Sequence, residues 1–534
     1  MFLNGEAKMA LEAALPGYLL GRRWFGGKAK QIASVEIVEA MPLRYEADGA
    51  YIVIIQVNYR DGEPQRYVLP LAVDRDSDGV RQPGSVVTRV ELADEHGEVE
   101  QTNLVDATFD TDFTLGLLDS VRSSLQLKTG SGEIRAWHRL PVQASDTSEG
   151  ELKASVMGAE QSNTSIKYGD RYILKLFRRL EEGTSPELEF GRYLGRRGFA
   201  NTPPLVGAIE YQVDSEEALT LAILQRFVRN EGDAWSFTLR ALEGYYERVA
   251  QHQVDGSDQM KEGTQLLDAA GGEIAEGMPS AIGDYVDWAR LLGRRTGELH
   301  VALGSATEDD AFEPKPFTRD YQDSLYTAMQ DLTKQAFGML RYKLGTLPAE
   351  ARAEAVALME KEGEVAARFE PLKERPIAAL RTRCHGDYHL GQVLFTGDDF
   401  MIIDFEGEPV RSLAERRRMH SPLKDVAGML RSYHYAAYFG LLEYMSGHGE
   451  MPVEETARLE AWARVWQLGV SAAYLGEYLA TVQDAGIVPE SRDDLQVVLD
   501  AHLLEKAVYE LIYELNNRPD WVHIPLQGIL QLVR

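Results

Sequence analysis

The amino-acid sequence predicts an α+β protein in which β-rich regions come first and a mostly helical region follows. Strand-forming segments rich in Val, Ile and Tyr recur up to Asp233, and helical patterns dominate after it. The chain has 534 residues, a length that allows roughly two to four compact units. We therefore expect several subdomains, each with its own core.

The first region reads as an antiparallel meander followed by a helix. The first of three strand-like segments begins near Gln31, and an Asp-Gly turn at Asp61 separates the second segment from the third. Farther along, apolar residues one helical turn apart between Thr111 and Leu127 predict an amphipathic helix. These elements predict an N-terminal α+β subdomain over residues 1–128.

The next two regions differ from each other in their predicted secondary structure. Strand patterns resume with EIRAWHRL, a helix is predicted from about Pro186, and LTLAILQRFV reads as a further strand. They predict a β-rich subdomain over residues 129–232 that ends in a hinge, and a mostly helical lobe over residues 233–534. Within that lobe, residues 351–374 read as one long helix. A β-rich lobe joined to a helical lobe is the layout of a bilobal protein kinase, but layout alone does not establish function.

The charge and composition argue against several classes of partner. The 56 basic and 84 acidic residues give a net charge of −28, which repels nucleic-acid phosphates and anionic lipid surfaces. No segment approaches the roughly 20 apolar residues that a membrane helix needs. The single cysteine, Cys384, cannot form an intramolecular disulfide and is typical of a reducing compartment. We expect a cytoplasmic protein with no nucleic-acid or membrane partner.

Two polar motifs, HGDYHLGQ and IIDFEGE, occur beside two short apolar runs in the helical region, around residues 393–395 and 400–403. Phosphoryl transfer needs a carboxylate near the attacking hydroxyl, an oxygen ligand for Mg²⁺, and a second carboxylate between the metal and the phosphates. Asp387, Gln392 and Asp404 supply these groups in that order, and the first two keep the five-residue spacing found in protein kinases. We predict Asp387 as the catalytic base, Gln392 and Asp404 as metal ligands, and Glu406 as a ligand for a second metal.

His385 and His389 lie four residues apart, as the two histidines of a helical zinc site do. The segment between them contains glycine and lacks the glutamate of the HExxH motif, so we favour a buried, hydrogen-bonded structural role for His385. The apolar strand near Cys384 predicts a buried and inert thiol.

A segment of small polar residues between two predicted strands is a candidate phosphate-binding turn. It has neither a GxGxxG nor a Walker pattern, but hydroxyl and backbone N–H groups can cover phosphates instead. Its residues are Ser162, Asn163, Thr164 and Ser165. Lys175, on the next strand, would reach the α- and β-phosphates of ATP. A lysine on an amphipathic strand is more often simply exposed, but Asp387 and Asp404 downstream favour the functional role.

A strand lysine that binds phosphates needs a carboxylate to orient it. The following helix offers Glu187 and Glu189, and we favour Glu189. The alternative for both is a solvated helix N-terminus, where the helix dipole favours acidic residues. For the adenine, we expect backbone contacts from the hinge residues Gln225, Phe227 and Val228.

Several motifs make this sequence resemble a known family. HGDYHLGQV and IDFEGEP, EQSNTS with LKLFRRL, and EKAVYELIYELNNRPDWVHIPLQGI resemble bacterial maltokinases, within the aminoglycoside phosphotransferase-like kinases. RRWFGGKAKQI and the stretch from HGDYHLGQVL to SPLKDVAGMLRSYHYA are most similar to the maltokinase module fused to trehalose synthase. The resemblance covers nearly the whole chain.

The resemblance implies a bilobal, protein-kinase-like fold with an extra N-terminal cap. It implies an enzyme that uses ATP and Mg²⁺ to phosphorylate the anomeric hydroxyl of maltose, giving maltose 1-phosphate for α-glucan and glycogen synthesis from trehalose. It also implies a functional or covalent partnership with trehalose synthase. Lys506, Tyr509 and Tyr513 match the family's sugar-binding signature. Their spacing places them on one helix face, where aromatic rings suit a disaccharide, although core packing explains the same spacing.

Two other functions are compatible with these residues. The first is a kinase of the same fold that phosphorylates another sugar or amino sugar, such as glucosamine. The second is a non-catalytic module that binds a nucleotide or sugar and regulates a partner. The intact Asp387 and Asp404 argue against this second alternative.

Overall fold

The computed structural model describes residues 5–43, 50–74, 84–93, 99–139, 152–158, 162–213, 217–251, 265–271, 282–305, 307–449 and 451–533. The chain forms two compact units, which are Met1–Arg196 with Pro203–Arg229, and Arg197–Thr202 with Asn230–Arg534. Across the described ranges, no helix is both long and apolar enough to cross a membrane.

Strands dominate the first unit. They are β1 (Ile32–Leu43), β2 (Ala50–Tyr59), β3 (Gln65–Asp74), β4 (Val86–Ala93), β5 (Val99–Asp106), β6 (Gln126–Lys128), β7 (Gly132–His138), β8 (Ala154–Val156), β9 (Thr164–Tyr168), β10 (Tyr172–Leu176), β11 (Arg179–Leu180), β12 (Leu205–Val213) and β13 (Leu219–Arg226). The helices that pack with them are α1 (Gly5–Leu20), α2 (Thr111–Arg122) and α3 (Pro186–Arg197).

The strands of the first unit form two antiparallel sheets. In the first sheet the order is β1-β2-β3-β5-β4, and β11 also pairs with β3. The predicted meander of β1, β2 and β3 is confirmed by their pairing. In the second sheet the order is β6-β7-β12-β13-β10-β9-β8. Only Phe177 and Arg178 separate β10 in the second sheet from β11 in the first, so the chain passes directly between the sheets.

The helix α2 begins and ends at recognisable signals. The Asp110 side chain caps it by accepting hydrogen bonds from the backbone N–H groups of Asp112 and Phe113. The helix ends at Arg122 instead of extending toward Leu127 as predicted. Ser124 adopts a left-handed backbone conformation with φ 51°, which turns the chain into β6.

The second unit is mostly helical, as predicted. Its helices are α4 (Ala234–Ala250), α5 (Leu266–Gly271), α6 (Tyr285–Gly304), α7 (Arg319–Lys343), α8 (Ala349–Met359), α9 (Glu362–Ala367), α10 (Leu413–Arg416), α11 (Leu423–His448), α12 (Val453–Val482), α13 (Arg492–Asn517) and α14 (His523–Leu532). Short strands accompany them, which are β14 (Lys315–Pro316), β15 (Leu380–Arg381), β16 (Val393–Phe395) and β17 (Phe400–Ile402).

The core of the second unit depends on close approach between long helices. α11 is buried along an unbroken run from Asp425 to Tyr438. Where α6 meets α12, a Cβ added at Gly293 would lie 2.2 Å from the backbone oxygen of Tyr474. Glycine therefore allows these two backbones to touch.

The prediction of one long helix over residues 351–374 is wrong. The structure has α8, then α9, then a 3₁₀ turn over Glu370–Lys373. Pro371 stands in that turn, and a proline in a helix interior removes a hydrogen-bond donor and clashes with the preceding turn. The Ala- and Glu-rich composition predicted helix but not its interruptions.

The strands β16 and β17 form an antiparallel hairpin in which Val393 pairs with Ile402. These are the two apolar runs that the sequence predicted within the helical region. The loop before β16 and the residues after β17 lie at the same open end of the hairpin. The fold thereby brings the two central motifs together.

Candidate active site

Lys175 lies on β10 between two other strands of the second sheet. It pairs with Ser165 of β9 on one side and with Ile223 of β13 on the other. Its ammonium nitrogen is 2.8 Å from Oε2 of Glu187, and both side chains are largely buried. The ion pair fixes the direction of the lysine side chain, as a phosphate-binding lysine requires.

The prediction that Glu189 orients Lys175 is wrong, because Glu187 makes this ion pair. Residues two apart on an α-helix point about 200° away from each other. Glu187 lies on the buried face of α3, whereas Glu189 is only partly buried. Both acids stand in the first turn of the helix, so the sequence did not reveal which one faces the sheet.

Only part of the predicted phosphate-binding turn is a turn. Ser162 and Asn163 precede β9, but Thr164 and Ser165 are its first two residues. Thr164 pairs with Leu176 of β10, which extends the ladder into the segment predicted as loop. Ser162 is exposed, and the other three residues are buried.

The predicted hinge follows the end of β13. The backbone N–H of Phe227 donates a hydrogen bond to the carbonyl of Arg171 at 2.9 Å. The ammonium of Lys167 lies 4.0 Å from the centre of the Phe227 ring. The N–H group of Phe227 is therefore already hydrogen-bonded within the protein and does not point to an adenine. The adenine contacts expected of Gln225 and Val228 stay predictions.

In the second unit, the loop that carries Asp387 is held by a carboxylate that sequence analysis missed. Asp425, near the start of α11, accepts hydrogen bonds from the backbone N–H groups of His385 at 2.7 Å and Gly386 at 2.9 Å. It is also 3.2 Å from Nε2 of His300. Burial by itself raises the pKa of Asp425, but the hydrogen bond and charge of His300 bring it below its usual value. The ionised carboxylate fixes the backbone just before Asp387.

His385 and Cys384 have the structural character that the sequence predicted. Nε2 of His385 donates a hydrogen bond to the carbonyl of Ile403 at 2.8 Å, and its ring packs on Phe405. Cys384 is buried, and burial raises the pKa of its thiol, which disfavours the reactive thiolate. Both predictions are confirmed.

Gln392 and Asp404 meet at the open end of the β16–β17 hairpin. The backbone N–H of Ile403 donates to the carbonyl of Gln392 at 3.0 Å, which places the next residue, Asp404, close by. Asp404 has φ 65°, in the left-handed region that residues other than glycine rarely adopt. Such strained backbone is often retained at functional sites.

Asp404 and Glu406 fit a magnesium site. A carboxylate oxygen of each lies within 4.8 Å of the other, and Mg²⁺ prefers oxygen ligands of this kind. The guanidinium of Arg416 donates a hydrogen bond to the carbonyl of Glu406 at 3.0 Å and holds this turn. The two carboxylates therefore suit the predicted metal, and the ligand role of the Gln392 side chain stays a prediction.

Lys506 on α13 lies beside the predicted base. Its ammonium nitrogen is 3.8 Å from Oδ1 of Asp387, 3.7 Å from Oε1 of Glu408 and 4.9 Å from the centre of the Tyr509 ring. Burial by itself lowers the pKa of Lys506, but the Asp387 and Glu408 carboxylates raise it above its usual value. The lysine stays charged between two acids. Sequence analysis missed Glu408, which lies two residues after Glu406.

The two tyrosines of the predicted sugar-binding face differ in exposure. Tyr509 is partly buried and lines a small cleft together with Gly386, Glu408 and Lys506. Tyr513, one helical turn further, is 45% exposed. Core packing therefore does not explain Tyr513, whose exposed ring has the Arg518 guanidinium 5.3 Å from its centre.

Two families match the chain. The maltokinase N-terminal cap domain matches residues 18–110. The phosphotransferase enzyme family matches residues 153–439, which is more than half of the chain and includes Lys175, Asp387 and Asp404. The expected resemblance to capped phosphotransferases is confirmed.

Two curated relatives are named glucosamine kinases. The protein from Mycolicibacterium smegmatis (strain ATCC 700084 / mc(2)155) is 23% identical over 398 residues, which are 74% of this chain and 82% of the relative. The protein from Streptacidiphilus jiangxiensis is 22% identical over 383 residues, which are 70% of this chain and 72% of the relative.

A solved structure of a glucosamine kinase in complex with glucosamine, ADP and inorganic phosphate is similar over 100% of both chains, with a TM-score of 0.61 and 18% identity. At this identity the likeness concerns the fold alone. Together with the two family matches, it confirms the predicted kinase-like fold with an N-terminal cap.

Proposed function

The chain belongs to the phosphotransferase enzyme family, and from this premise we propose that it transfers the γ-phosphoryl group of ATP to a sugar hydroxyl. We propose further that the sugar is maltose and that the product is maltose 1-phosphate. The names of the two relatives support a sugar acceptor, and the maltokinase-type cap supports maltose.

One observation carries this proposal above the others. Lys506, taken from the sugar-binding signature, and Asp387, taken from the phosphoryl-transfer motif, are far apart in the sequence, yet their side chains lie 3.8 Å apart. The residue predicted to bind the sugar and the residue predicted to accept its proton are therefore neighbours. A hydroxyl group bound near Lys506 is thereby close to the base that must accept its proton.

The proposed chemistry assigns a task to each side chain. Asp387 accepts the proton of the anomeric hydroxyl while that oxygen bonds to the γ-phosphorus, the bond from this phosphorus to the bridging oxygen breaks, and ADP leaves. Lys506 holds the Asp387 carboxylate and contacts the acceptor. Lys175 binds the α- and β-phosphates. When bound, Mg²⁺ neutralises phosphate charge, and Asp404, Glu406 and Gln392 would hold it.

A second candidate is a kinase of an amino sugar, which the names of the relatives favour. To bind the protonated amino group of such a sugar, the site would need a carboxylate that is not already paired with a lysine or arginine. Near Asp387, however, Lys506 lies between the two acids, and Arg411 forms an ion pair with Glu408. These cations favour an uncharged acceptor over a charged one.

The deciding experiment measures ATP consumption in the presence of Mg²⁺ with maltose, glucosamine, glucose and trehalose as separate acceptors. We expect turnover with maltose, loss of that turnover in Asp387→Asn, and a phosphate ester at the anomeric carbon by NMR. Turnover with glucosamine and none with maltose would establish the second candidate. No turnover with any sugar would indicate a regulatory binding module.

We also propose that the maltose 1-phosphate enters α-glucan synthesis and that trehalose synthase supplies the maltose. The motifs shared with fused maltokinases support this partnership. Mixing the protein with trehalose synthase, trehalose and Mg·ATP should yield maltose 1-phosphate. Accumulation of free maltose alone would contradict it.

A further inference from the structure

Arg178 is a buried cation at the point where the chain leaves the second sheet and enters the first. It is 1% exposed and follows the strand of Lys175 by two residues. Its backbone carbonyl accepts a hydrogen bond from the N–H of Val68 on β3 at 2.7 Å. Removing a charged group from water costs free energy. A buried guanidinium therefore needs several well-placed hydrogen-bond and ion-pair partners.

The N-terminal sheet and the segments beside it supply one set of these partners. The Arg178 guanidinium donates to Oδ2 of Asp106 at 2.9 Å and to the hydroxyl oxygen of Thr108 at 3.1 Å. It also stacks 4.8 Å from the ring centre of Trp24. The hydroxyl of Tyr18 donates to the same Asp106 oxygen at 3.2 Å. These contacts place the guanidinium within the core of the N-terminal region.

The proposed phosphate-binding segment supplies the other set. Nε of Arg178 donates to the hydroxyl oxygen of Thr164 at 2.8 Å, and its backbone N–H approaches Oδ1 of Asn163 at 3.4 Å. The planar guanidinium therefore bonds Thr164 through Nε and Asp106 through a terminal nitrogen. A lysine side chain cannot reproduce this fork.

We propose that Arg178 is a positioning residue that ties the Asn163–Thr164 segment to the N-terminal sheet. It follows that residues of the N-terminal region that never contact the nucleotide, Trp24 and Asp106 among them, set the affinity for Mg·ATP. This inference rests on the proposed function, because it takes Asn163 and Thr164 as part of the nucleotide site.

The test compares Arg178→Lys with Arg179→Lys in the full chain. Arg179 is the adjacent arginine, its side chain is 42% exposed, and it pairs with Glu181. We expect Arg178→Lys to weaken Mg·ATP binding about tenfold, with the KM for maltose unchanged, since the charge-assisted hydrogen bond to Thr164 is lost. Arg179→Lys should leave both values unchanged.

A substitution outside the nucleotide site provides the sharper measurement. Trp24→Leu keeps apolar packing but removes the aromatic face under Arg178, and we expect Mg·ATP affinity to fall about threefold. In a Thr164→Val background, where the guanidinium no longer bonds the proposed phosphate-binding segment, the same change should have no further effect on affinity. Additive effects of the two substitutions would contradict coupling through Arg178.

Direct titration with Mg·ATP in the absence of sugar separates this inference from the proposed function. If the wild type binds Mg·ATP but phosphorylates no sugar, the proposed function fails, while weaker binding by Arg178→Lys still supports the inference. If Arg178→Lys lowers the melting temperature and leaves Mg·ATP affinity unchanged, Arg178 is only structural. Absence of Mg·ATP binding by the wild type would overturn both.

Discussion

The candidate residues of the first unit and those of the second unit are held in place in different ways. In the first unit, the segment before Lys175 is fixed through side chains, since Arg178 bonds Thr164 and Glu187 bonds Lys175. In the second unit, the loop before Asp387 is fixed through its backbone, because Asp425 accepts two N–H groups. The first arrangement depends on which side chains are present, and the second tolerates sequence change in the loop it holds.

The largest effect should come from the base itself. We expect Asp387→Asn to lower kcat by about 10²–10⁴-fold, because proton acceptance is lost while substrate contacts remain. Mg·ATP affinity, measured by titration, should stay close to that of the wild type. Turnover equal to the wild type would remove Asp387 from the role of base.

Substitution of the carboxylate behind the loop should have the next largest effect. We expect Asp425→Asn to lower the free energy of unfolding by about 3–5 kcal/mol, since it leaves buried partners unpaired, and to lower kcat as well. Asp399→Asn is the matched control. Asp399 is partly buried and ion-paired with Arg295 at 2.8 Å, so its loss should reduce stability without reducing kcat. Equal loss of kcat in both variants would contradict a specific role for Asp425.

The same contact predicts how stability depends on pH. The pKa of folded Asp425 lies below that of the unfolded chain, so its ionisation stabilises the folded state above about pH 3.9, the ordinary value for aspartate. This contribution is lost as the pH falls toward the lower folded-state pKa. Urea unfolding between about pH 5 and pH 3 should show a smaller loss of stability in Asp425→Asn than in the wild type.

In the first unit, the two neighbouring glutamates provide a matched pair. We expect Glu187→Gln to raise the KM for ATP by about 10- to 100-fold, because the buried Lys175 ammonium loses its ion pair with Glu187. Glu189→Gln should leave the KM within about twofold of the wild type. Kinetics at saturating maltose would reveal the difference, and a reversed order would restore Glu189 as the orienting residue.

The smallest effect is expected at the edge of the acceptor face. Tyr513→Leu should raise the KM for maltose about fivefold, since an accessible aromatic face is lost, and should leave the KM for ATP unchanged. Tyr342→Leu serves as the control, because Tyr342 is 86% exposed on α7. Equal effects of both substitutions would argue against sugar binding at Tyr513.

The sequence predicted those candidate residues whose relative positions depend only on their spacing within a short stretch of chain. Asp387, Gln392 and Asp404 could be found because spacing along a loop and a hairpin determines where they lie. The choice between Glu187 and Glu189 failed because it depends on how α3 is rotated against the sheet. Neighbouring strands and helices set that rotation, and the helix sequence alone does not.

The supporting residues were missed for a related reason. Asp425 bonds a loop 40 residues away, and its only local signal is an acid in the apolar segment SPLKDVAGML. Arg178 stands beside an already predicted lysine, but its partner Asp106 is 72 residues distant. Hydrophobic periodicity does not encode such pairings, since they arise only after the sheets have formed.

The left-handed backbone of Asp404 has a consequence for how this protein can diverge. In the proposed mechanism the position needs a carboxylate to bind the metal and a residue that tolerates positive φ for folding, and asparagine meets the second need nearly as well as aspartate. If Asp404 binds the metal as proposed, we expect Asp404→Asn to be a single step that removes phosphoryl transfer while leaving the chain able to fold. A lineage that takes this step keeps an intact scaffold on which a binding role can evolve.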